Sequence, residues 1–331
     1  MAGKRKMMEK KDFSVIICGQ ITIDDIVRMD RPVLMDSPGG DGIYQLSGAY
    51  MWQRDSIGFV TRKGNDFDMD TLRKATKGTV DLSGVTDVPD MANIHIFAIF
   101  DRAGNRYFIN QRWSGKNPEM EPHSAADFPD RYRGATRAIS VAALPFPWGA
   151  GFLQGLPDDG TIIAVDPHFD SMYEDNRPIW IDLFKKITVW LPSEDELIRF
   201  FSIPAQEKVE NYIPYLKKIT DYGVRVCLVK LGGRGSLVYD RTTDRAWHVP
   251  AYAKSKVVDV TGCGDTFCGG FISGYLQNED PLEGAICGSV SASFCIDHYG
   301  CMKTFEVTKE QATARYDEFK AGLDLEKCRL R

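Results

Sequence analysis

The sequence has few of the features that mark secreted or nucleic-acid-binding proteins. Its 331 residues include only eight cysteines, no two of them in a C-x-x-C pair, and no N-x-S/T glycosylation site. These absences argue against a disulfide scaffold and predict reduced thiols in the cytoplasm. The net charge is −5, from 41 basic and 46 acidic side chains. A chain with this charge has no positive electrostatic potential overall that would attract a nucleic-acid backbone. We therefore expect no nucleic-acid partner.

The basic N-terminus is not followed by a segment directed to a membrane. Residues 1–11 contain five Lys or Arg residues, but only the short apolar run Phe13 to Cys18 follows before polar residues resume. This run is too short for the apolar region of a signal peptide and far below the roughly 20 residues of a membrane span. We expect residues 1–11 to form a solvated basic tail on a cytoplasmic protein that has no membrane partner.

Short apolar stretches rich in β-branched residues recur between stretches of helical spacing. Because they are almost continuously apolar, they are typical of strands covered on both faces, as in a parallel sheet with crossover helices. The strand candidates are Phe13 to Cys18, Thr161 to Val165, Ile187 to Leu191 and Val224 to Leu231. The helix candidates are Asp265 to Gln277, Leu282 to Tyr299 and Thr308 to Leu323, where small residues such as Gly269 and Gly270 permit close packing. One large α/β domain over residues 12–331 is expected.

A pair of strands in the N-terminal half departs from this pattern. Residues 94–100 and 106–110 have strand character, and residues 101–105, D-R-A-G-N, join them with a turn that carries Gly and Asn. We expect a β-hairpin that lies outside the main sheet as a small appendage.

The strongest chemical signal lies in residues 257–271, V-V-D-V-T-G-C-G-D-T-F-C-G-G-F. An extended, β-branched run passes through Gly262 and Gly264 into a helix. The two glycines let the chain turn sharply, so that successive N–H groups point into one concavity at the positive end of the helix. This pattern predicts an anion-binding site.

The carboxylate of Asp265 would be unfavourable in a site that only binds an anion, because it would repel the ligand. It fits a site where it accepts a proton beside charge that develops during a reaction. A base next to an oxyanion-stabilising turn indicates transfer of a phosphoryl group to a hydroxyl. The alternative is that Asp265 only caps the N-terminus of the helix behind a glycine turn.

This string resembles the phosphate loop of the ribokinase-like carbohydrate kinases, the PfkB family, usually written D-x-T-G-A-G-D-x-F. Only Cys263 departs from that motif, as a modest enlargement that leaves the backbone donors intact. The resemblance implies that Asp265 is the catalytic base and that amides around Gly262, Cys263 and Gly264 stabilise the transferring phosphoryl group. Further motifs follow in the family's order from about Phe13 to Ala312.

On the substrate side, Asp24 in G-Q-I-T-I-D matches the aspartate that holds sugar hydroxyls in the family. Residues 37–42, S-P-G-G-D-G, resemble the paired-glycine substrate loop, and residues 63–67, K-G-N-D-F, resemble the G-x-D-x-F segment that follows it. The resemblance implies a sugar-binding set of Asp24, Gly39, Gly40 and Asp41.

On the nucleotide side, Ser193 replaces the asparagine of the family's N-x-x-E segment, which helps to organise magnesium and phosphate, and Glu196 is retained. Residues 229–235, V-K-L-G-G-R-G, match the nucleotide-side strand and glycine turn. The resemblance implies that ATP is bound by Ser193, Glu196, Lys230, Gly232 and Gly235, and that Glu196 holds Mg²⁺ directly or through water.

Asp259 occupies the position that contributes to a monovalent-cation site in many relatives, so potassium is a further expected ligand. The alternative is that Asp259 caps a turn.

The resemblance implies an ATP-dependent kinase that phosphorylates a primary hydroxyl of a sugar or related polyol. The implied fold is α/β, a ribokinase-like three-layer sandwich with a mainly parallel central sheet and a small β-strand lid. About residues 22–37 and 92–114 would form the lid, which would exclude water and is a candidate homodimer contact. A nucleoside kinase of the same family and a non-catalytic sugar-sensing relative remain as alternatives.

Tyr44 is the clearest departure in the substrate loop, because the family usually has a small residue and then asparagine where Ile43 and Tyr44 stand. Either Tyr44 packs at the lid junction, or its hydroxyl reaches the substrate and its ring narrows the site. The second reading predicts a deoxy, modified or base-bearing substrate.

Several weaker signals carry no function. Gly262-x-Gly264-x-x-Phe267 lacks the third glycine of a dinucleotide fingerprint. The acidic run 66–70 lacks the glycine and terminal glutamate of a calcium loop, so we interpret it as a solvated helix start. No histidine has zinc-like spacing. His168, near a predicted strand end, could line the cleft, and a surface or supporting role is the favoured interpretation.

Overall fold

A computed structural model describes residues 11–101, 106–112, 120, 122 and 124–330. Its strands are β1 (Phe13–Cys18), β2 (Thr22–Arg28), β3 (Leu34–Gly39), β4 (Ile57–Lys63), β5 (Asp81–Asp87), β6 (Ile94–Phe100), β7 (Arg106–Arg112), β8 (Thr136–Val141), β9 (Ile162–Val165), β10 (Val189–Trp190), β11 (Val226–Lys230), β12 (Ser236–Asp240), β13 (Arg245–Val249) and β14 (Arg329–Leu330). Its α-helices are α1 (Asp41–Tyr50), α2 (Met69–Ala75), α3 (Trp148–Gly155), α4 (Arg177–Leu183), α5 (Glu194–Phe201), α6 (Ile213–Asp221), α7 (Cys263–Asn278), α8 (Pro281–Ile296), α9 (Lys309–Gly322) and α10 (Leu325–Cys328).

The large sheet has the strand order β14-β13-β12-β11-β10-β9-β8-β1-β4-β5. Strands from β11 to β5 pair in parallel, and β12 to β14 add an antiparallel edge. Hydrophobic cores cover both faces, because Val15 and Ile17 of β1 enter one core while Ile16 and Cys18 enter the other. The predicted parallel sheet is therefore confirmed. The four predicted strands are present, and three of them are shorter than their apolar runs by one to three residues.

The small sheet has the order β3-β2-β6-β7. Strand β2 pairs with β6 in parallel, while β2–β3 and β6–β7 are antiparallel. The predicted hairpin is present as β6 and β7, outside the large sheet. Its turn at 102–105 and residues 113–114 of the expected lid lie outside the described residues, as do residues 1–10 of the expected tail.

Helices α1, α7 and α8 pack closely through small residues. A Cβ atom on Gly269 would lie 1.9 Å from the carbonyl oxygen of Gln45, and one on Gly48 would lie 2.0 Å from the carbonyl oxygen of Thr266. Gly270 faces Ser291 of α8 in the same manner, with 2.2 Å to Oγ. The predicted close packing of the C-terminal helices is confirmed. It matters for function because α1 and α7 both begin at loops with predicted site residues.

Gly269→Ala is expected to lower the free energy of unfolding by about 1 to 3 kcal/mol, the usual cost of overpacking, because the new methyl group must displace backbone atoms of α1. Gly322→Ala is the matched control, since nothing lies within 4 Å of a Cβ there. Urea unfolding measures both variants. Equal stabilities of the two variants would contradict the close approach.

Among the described residues, no helix combines the length and the apolar character needed to cross a membrane.

Candidate active site

The predicted anion loop forms the N-terminus of α7. Gly262 is the N-cap residue in a left-handed conformation, with φ at +66°, and its carbonyl accepts a hydrogen bond from the Thr266 amide at 2.9 Å. A Cβ atom on Gly262 would lie 2.1 Å from the ring of Tyr44. Glycine is required here on two grounds, because other residues disfavour a positive φ and the ring leaves no room. The amides at this terminus have no side-chain cap and can bind an anion.

Asp265 lies in the first turn of α7, three residues after the N-cap Gly262. The alternative that Asp265 is the N-cap is therefore wrong, since the glycine turn leaves the helix uncapped and places Asp265 inside the helix. Its half-buried side chain borders the cavity described next. A carboxylate beside uncapped amides suits a proton acceptor next to an anion site.

One cavity of about 690 Å³ collects the predicted phosphate-loop and ATP residues. Its lining includes Gly262, Cys263, Gly264, Asp265, Ser193, Glu196, Lys230, Gly232 and Gly235. The rest of the wall has apolar members, among them Val257, Val260, Ala292 and Ile296. The cavity thus joins a charged region to an apolar one, as a nucleotide with phosphates and a flat base requires.

Lys230, at the end of β11, forms a buried ion pair with Asp166, which follows β9. Lys230 Nζ lies 2.6 Å from Asp166 Oδ2, and the two side chains are 13% and 3% exposed. Burial raises the pKa of Asp166 to about 6, even though Lys230 opposes the shift, and the negative charge of Asp265 raises it further. Burial lowers the pKa of Lys230, but neighbouring negative charge, above all that of Asp166, outweighs it and raises the pKa overall.

The ammonium group of Lys230 is close to the anion loop. A Cβ atom on Gly264 would lie 3.6 Å from Lys230 Nζ. Positive charge is therefore available beside the amides of α7. Sequence reasoning missed Asp166 as a site residue. Its position could have indicated it, because Asp166 follows a parallel strand, and ligands of open α/β sheets bind at the carboxyl ends of such strands.

Ser193 and Glu196 build the N-terminus of α5 while also lining the cavity. The Ser193 amide donates to Glu196 Oε2 at 2.6 Å, and the Glu196 amide donates to Ser193 Oγ at 3.4 Å. This is a capping box, which the spacing S-x-x-E could have indicated from the sequence. Burial, assisted by the charge of Asp166, raises the pKa of Glu196 to about 7.

None of the predicted substrate residues lines this cavity itself. Thr22 Oγ1 donates to the buried Asp24 Oδ1 at 2.5 Å, and Asp24 packs against Gly39 so closely that a Cβ there would lie 2.0 Å from Oδ2. Gly40, with φ at +96°, is the N-cap of α1. The Gln20 amide donates to Asp41 Oδ1 at 2.7 Å, which ties the β1–β2 connection to α1.

Tyr44 joins the two regions. It is 2% exposed, its ring supports Gly262, and its hydroxyl has no hydrogen-bond partner among the described residues. Packing at a junction is thus part of its role, while a buried hydroxyl without a partner is costly unless a ligand or water meets it. Whether Tyr44 selects the substrate stays a prediction.

Asp259 has the geometry of a turn cap. Its Oδ1 accepts hydrogen bonds from the amide and the hydroxyl of Thr261, at 3.1 and 2.9 Å, and its Oδ2 accepts one from the Gly300 amide at 3.4 Å. These bonds order the chain just before Gly262. A potassium role stays a prediction.

Two weaker signals have local structural roles. His168 Nδ1 accepts a hydrogen bond from the Asp170 amide at 3.0 Å, and His168 is not among the residues that line the cavity. Asp68 caps α2 by accepting a hydrogen bond from the Asp70 amide at 2.9 Å, as expected for a helix start.

The burial of Asp24 predicts a pH-dependent stability. Burial raises its pKa from 3.8 to about 7, so the folded chain binds this proton more tightly than the unfolded chain. Its contribution to stability is therefore fully present below about pH 4 and is lost as the pH rises to about 7. Asp24→Asn removes this titration and keeps an acceptor for Thr22. The free energy of unfolding of the variant minus that of the native chain is therefore expected to be about 2 to 3 kcal/mol larger at pH 8 than at pH 5. Urea unfolding at both pH values measures this, and an equal difference at the two would contradict it.

Comparison with known proteins identifies the family and the fold of this chain. The family model for the pfkB family carbohydrate kinases matches residues 35–308. The chain is 25% identical over 273 residues to a cytidine kinase of Thermococcus kodakarensis, covering 81% of this chain and 90% of that protein. It is 22% identical over 312 residues to a ribokinase of Staphylococcus aureus, covering 89% and 97%.

A solved structure from E. coli, named as a ribokinase II in complex with ATP and Mg²⁺, superposes with a TM-score of 0.74 at 18% identity. The match covers 92% of this chain and 99% of that one. The predicted ribokinase-like fold is confirmed. Because the family match spans most of the chain, this protein belongs to the pfkB family of carbohydrate kinases.

Proposed function

We propose that this protein transfers the γ-phosphoryl group of ATP to a primary hydroxyl of a sugar or of a nucleoside. The observation that carries the proposal is that Asp265, the uncapped amides of α7 and Lys230 all border one cavity. A base, an anion site and a fixed positive charge are the parts that phosphoryl transfer to a hydroxyl requires. A non-catalytic relative would have no evident need for the base.

Each group has a defined task in the reaction. Asp265 accepts the proton of the attacking hydroxyl, while the amides around Gly262, Cys263 and Gly264 donate to the transferring phosphoryl oxygens. Lys230 adds positive charge at the phosphates, and Asp166 holds its ammonium group in place. Val257, Val260, Ala292 and Ile296 provide an apolar surface for the adenine ring.

The carboxylates of Glu196 and Asp166 suit Mg²⁺, which prefers oxygen ligands and usually keeps several waters. Both border the cavity, and the raised pKa of each, about 7 and about 6, reflects buried negative charge that a cation would stabilise. The metal would neutralise charge on the ATP phosphates. Asp259 is the proposed contributor to a potassium site that orders the anion loop.

The sugar ring is held by Asp24 and the loop Gly39 to Asp41, beneath a lid formed by the small sheet. Two relatives are named for different substrates, a cytidine kinase and a ribokinase. A ribose moiety with a free primary hydroxyl is the group common to both, and it is the acceptor that we propose.

Tyr44→Phe tests whether the hydroxyl of Tyr44, which has no hydrogen-bond partner among the described residues, forms a hydrogen bond with the substrate. The variant keeps the ring under Gly262, so the fold is retained, and Tyr44→Asn, which would change the packing, is the less direct test. We expect kcat/KM for the best substrate to fall by the equivalent of about 1 to 3 kcal/mol, with a smaller effect on substrates that lack the matching hydroxyl. Steady-state kinetics across a substrate panel measures this. An unchanged substrate ranking would limit Tyr44 to packing.

The small sheet also carries an exposed apolar surface, and we propose that it pairs two copies of the chain through their lids. Large apolar side chains on β3, β7 and the β2–β3 connection are 45 to 63% exposed, namely Met29, Val33, Met35, Tyr107, Phe108 and Ile109. These residues lie along the two edge strands of the small sheet, β3 and β7, and beside them, and exposed apolar residues on such edges are candidates for an interaction site. Sedimentation velocity tests the dimer.

The proposed place of action is the cytoplasm, where ATP and Mg²⁺ are supplied.

The proposal is tested by assaying ADP release from ATP and Mg²⁺ with a panel of pentoses, hexoses and nucleosides, and by identifying the phosphorylated product. Potassium is compared with a large organic cation at fixed ionic strength. Phosphorylation of at least one sugar or nucleoside is expected, with higher turnover in potassium. ATP hydrolysis without any phosphorylated acceptor would overturn the proposed function, and equal rates in the two salts would remove only the potassium site.

A further inference from the structure

A second group of ionisable side chains lies outside the kinase cavity, on the small sheet. Asp25 of β2, Asp36 of β3 and His95 of β6 each offer one ligand atom, and these atoms all lie within 4.8 Å of one another. His95 Nε2 is 3.4 Å from Asp25 Oδ2 and 3.9 Å from Asp36 Oδ1. The group joins three neighbouring strands at one point.

The sheet geometry brings the three residues together. Ile23 of β2 pairs with His95 of β6, so Asp25, two residues beyond Ile23, lies on the same face as His95. Asp24 faces the opposite side, toward the proposed sugar site. The cluster therefore does not belong to that site.

Asp36 reaches the cluster through a β-bulge. The register of β2 and β3 shifts between Asp24 and Ile26, which leaves one extra residue in β3. Asp36 has φ at +50°, a left-handed conformation that is uncommon outside glycine, and its amide donates to Asp25 Oδ1 at 2.8 Å. Bulges re-aim side chains and occur next to functional sites.

His95 supplies the observation that points to a ligand. Its side chain is 9% exposed, and its Nε2 atom has no hydrogen-bond partner among the described residues, although it faces the two carboxylates. Leaving a buried polar atom unsatisfied costs about 1 to 3 kcal/mol in general. A cavity of about 340 Å³, lined in part by Asp36 and His95, gives an ion and its waters access.

We propose that Asp25, Asp36 and His95 form a binding site for a divalent transition-metal ion, with Zn²⁺ as the best match. One imidazole nitrogen and two carboxylate oxygens are a ligand set that Zn²⁺ accepts, whereas Mg²⁺ prefers oxygen alone. Tetrahedral bonds of about 2.1 Å separate ligand atoms by about 3.4 Å, close to the observed spacings. Water fills the remaining position, and the ion cross-links β2, β3 and β6 independently of the kinase site.

The test is calorimetric titration of ZnCl₂ into the full chain in excess Mg²⁺, which occupies oxygen-only sites. One equivalent of Zn²⁺ is expected to bind, and Zn²⁺ is expected to raise the Tm, because only the folded chain assembles the site. His95→Gln and Asp36→Asn are each expected to weaken binding by at least the roughly 10- to 100-fold seen when even outer partners of a metal are lost.

Asp36→Asn is the more conservative variant, since asparagine tolerates the left-handed conformation and the amide bond to Asp25 is kept. Asp90→Asn, which removes an exposed carboxylate just before β6, is the matched control and should bind Zn²⁺ as the native chain does. Absence of Zn²⁺ binding, or unchanged binding in folded Asp36→Asn, would overturn the site and leave a His95–Asp25 ion pair. Kinase activity is not a readout, so this result is distinct from the test of the proposed function.

Discussion

Asp265→Asn is expected to lower kcat by about 10² to 10⁴, the usual contribution of a general base, while the fold and the affinity for ATP are retained. The amide is isosteric with the carboxylate but cannot take the proton of the acceptor hydroxyl. Asp265 lies in the first turn of α7 beside uncapped amides, so loss of its charge would not weaken, and would slightly favour, binding of the phosphates. Steady-state kinetics and thermal shift with a non-hydrolysable ATP analogue separate the two effects.

Asp195→Asn is the matched control, because Asp195 also lies in the first turn of a helix, α5, but is exposed and does not border the cavity. Its kcat should equal that of the native chain. Near-native turnover in Asp265→Asn would remove Asp265 from the role of base. A large fall in kcat with the KM for ATP unchanged or slightly lower is the pattern that supports it.

Lys230→Met is expected to cost both stability and activity. The variant leaves the buried carboxylate of Asp166 without its partner at 2.6 Å, and breaking a buried ion pair in this way typically costs about 3 to 5 kcal/mol. It also removes the positive charge beside the anion loop, so kcat/KM for ATP should fall. Urea unfolding and steady-state kinetics measure the two losses.

The double variant Lys230→Met/Asp166→Asn separates structure from function. With both charges removed, no unpaired charge stays buried, and most of the lost stability should return. Activity should not return, since the phosphates still lack the charge of Lys230. A double variant as unstable as Lys230→Met would refute the account of the pair, and a double variant with native kcat/KM for ATP would refute the role of Lys230 at the phosphates.

Much of the fold was predictable because local patterns encode it. Strand β1 was predicted to the residue, since a strand buried on both faces must be apolar at every position. The hairpin β6–β7 and the helices α7 to α9 were predicted within a few residues at each end. Helix ends were less accurate: α7 begins at Cys263, two residues before the predicted start, because Gly262 takes the N-cap position and the helix includes the second glycine of the turn.

The sequence by itself determined the glycine loop before α7 and the position of Asp265 in the first turn of that helix, because glycine spacing, a β-branched run and a following helix are local features that short-range physics converts into one conformation. The tertiary structure alone decided which distant residues complete the site. Asp166 and Lys230 are 64 positions apart and meet at 2.6 Å only because β9, β10 and β11 end at the same edge of the sheet. Likewise, Asp25, Asp36 and His95 meet through strand register and a bulge. Such contacts depend on packing between elements, and no local pattern of residues specifies it.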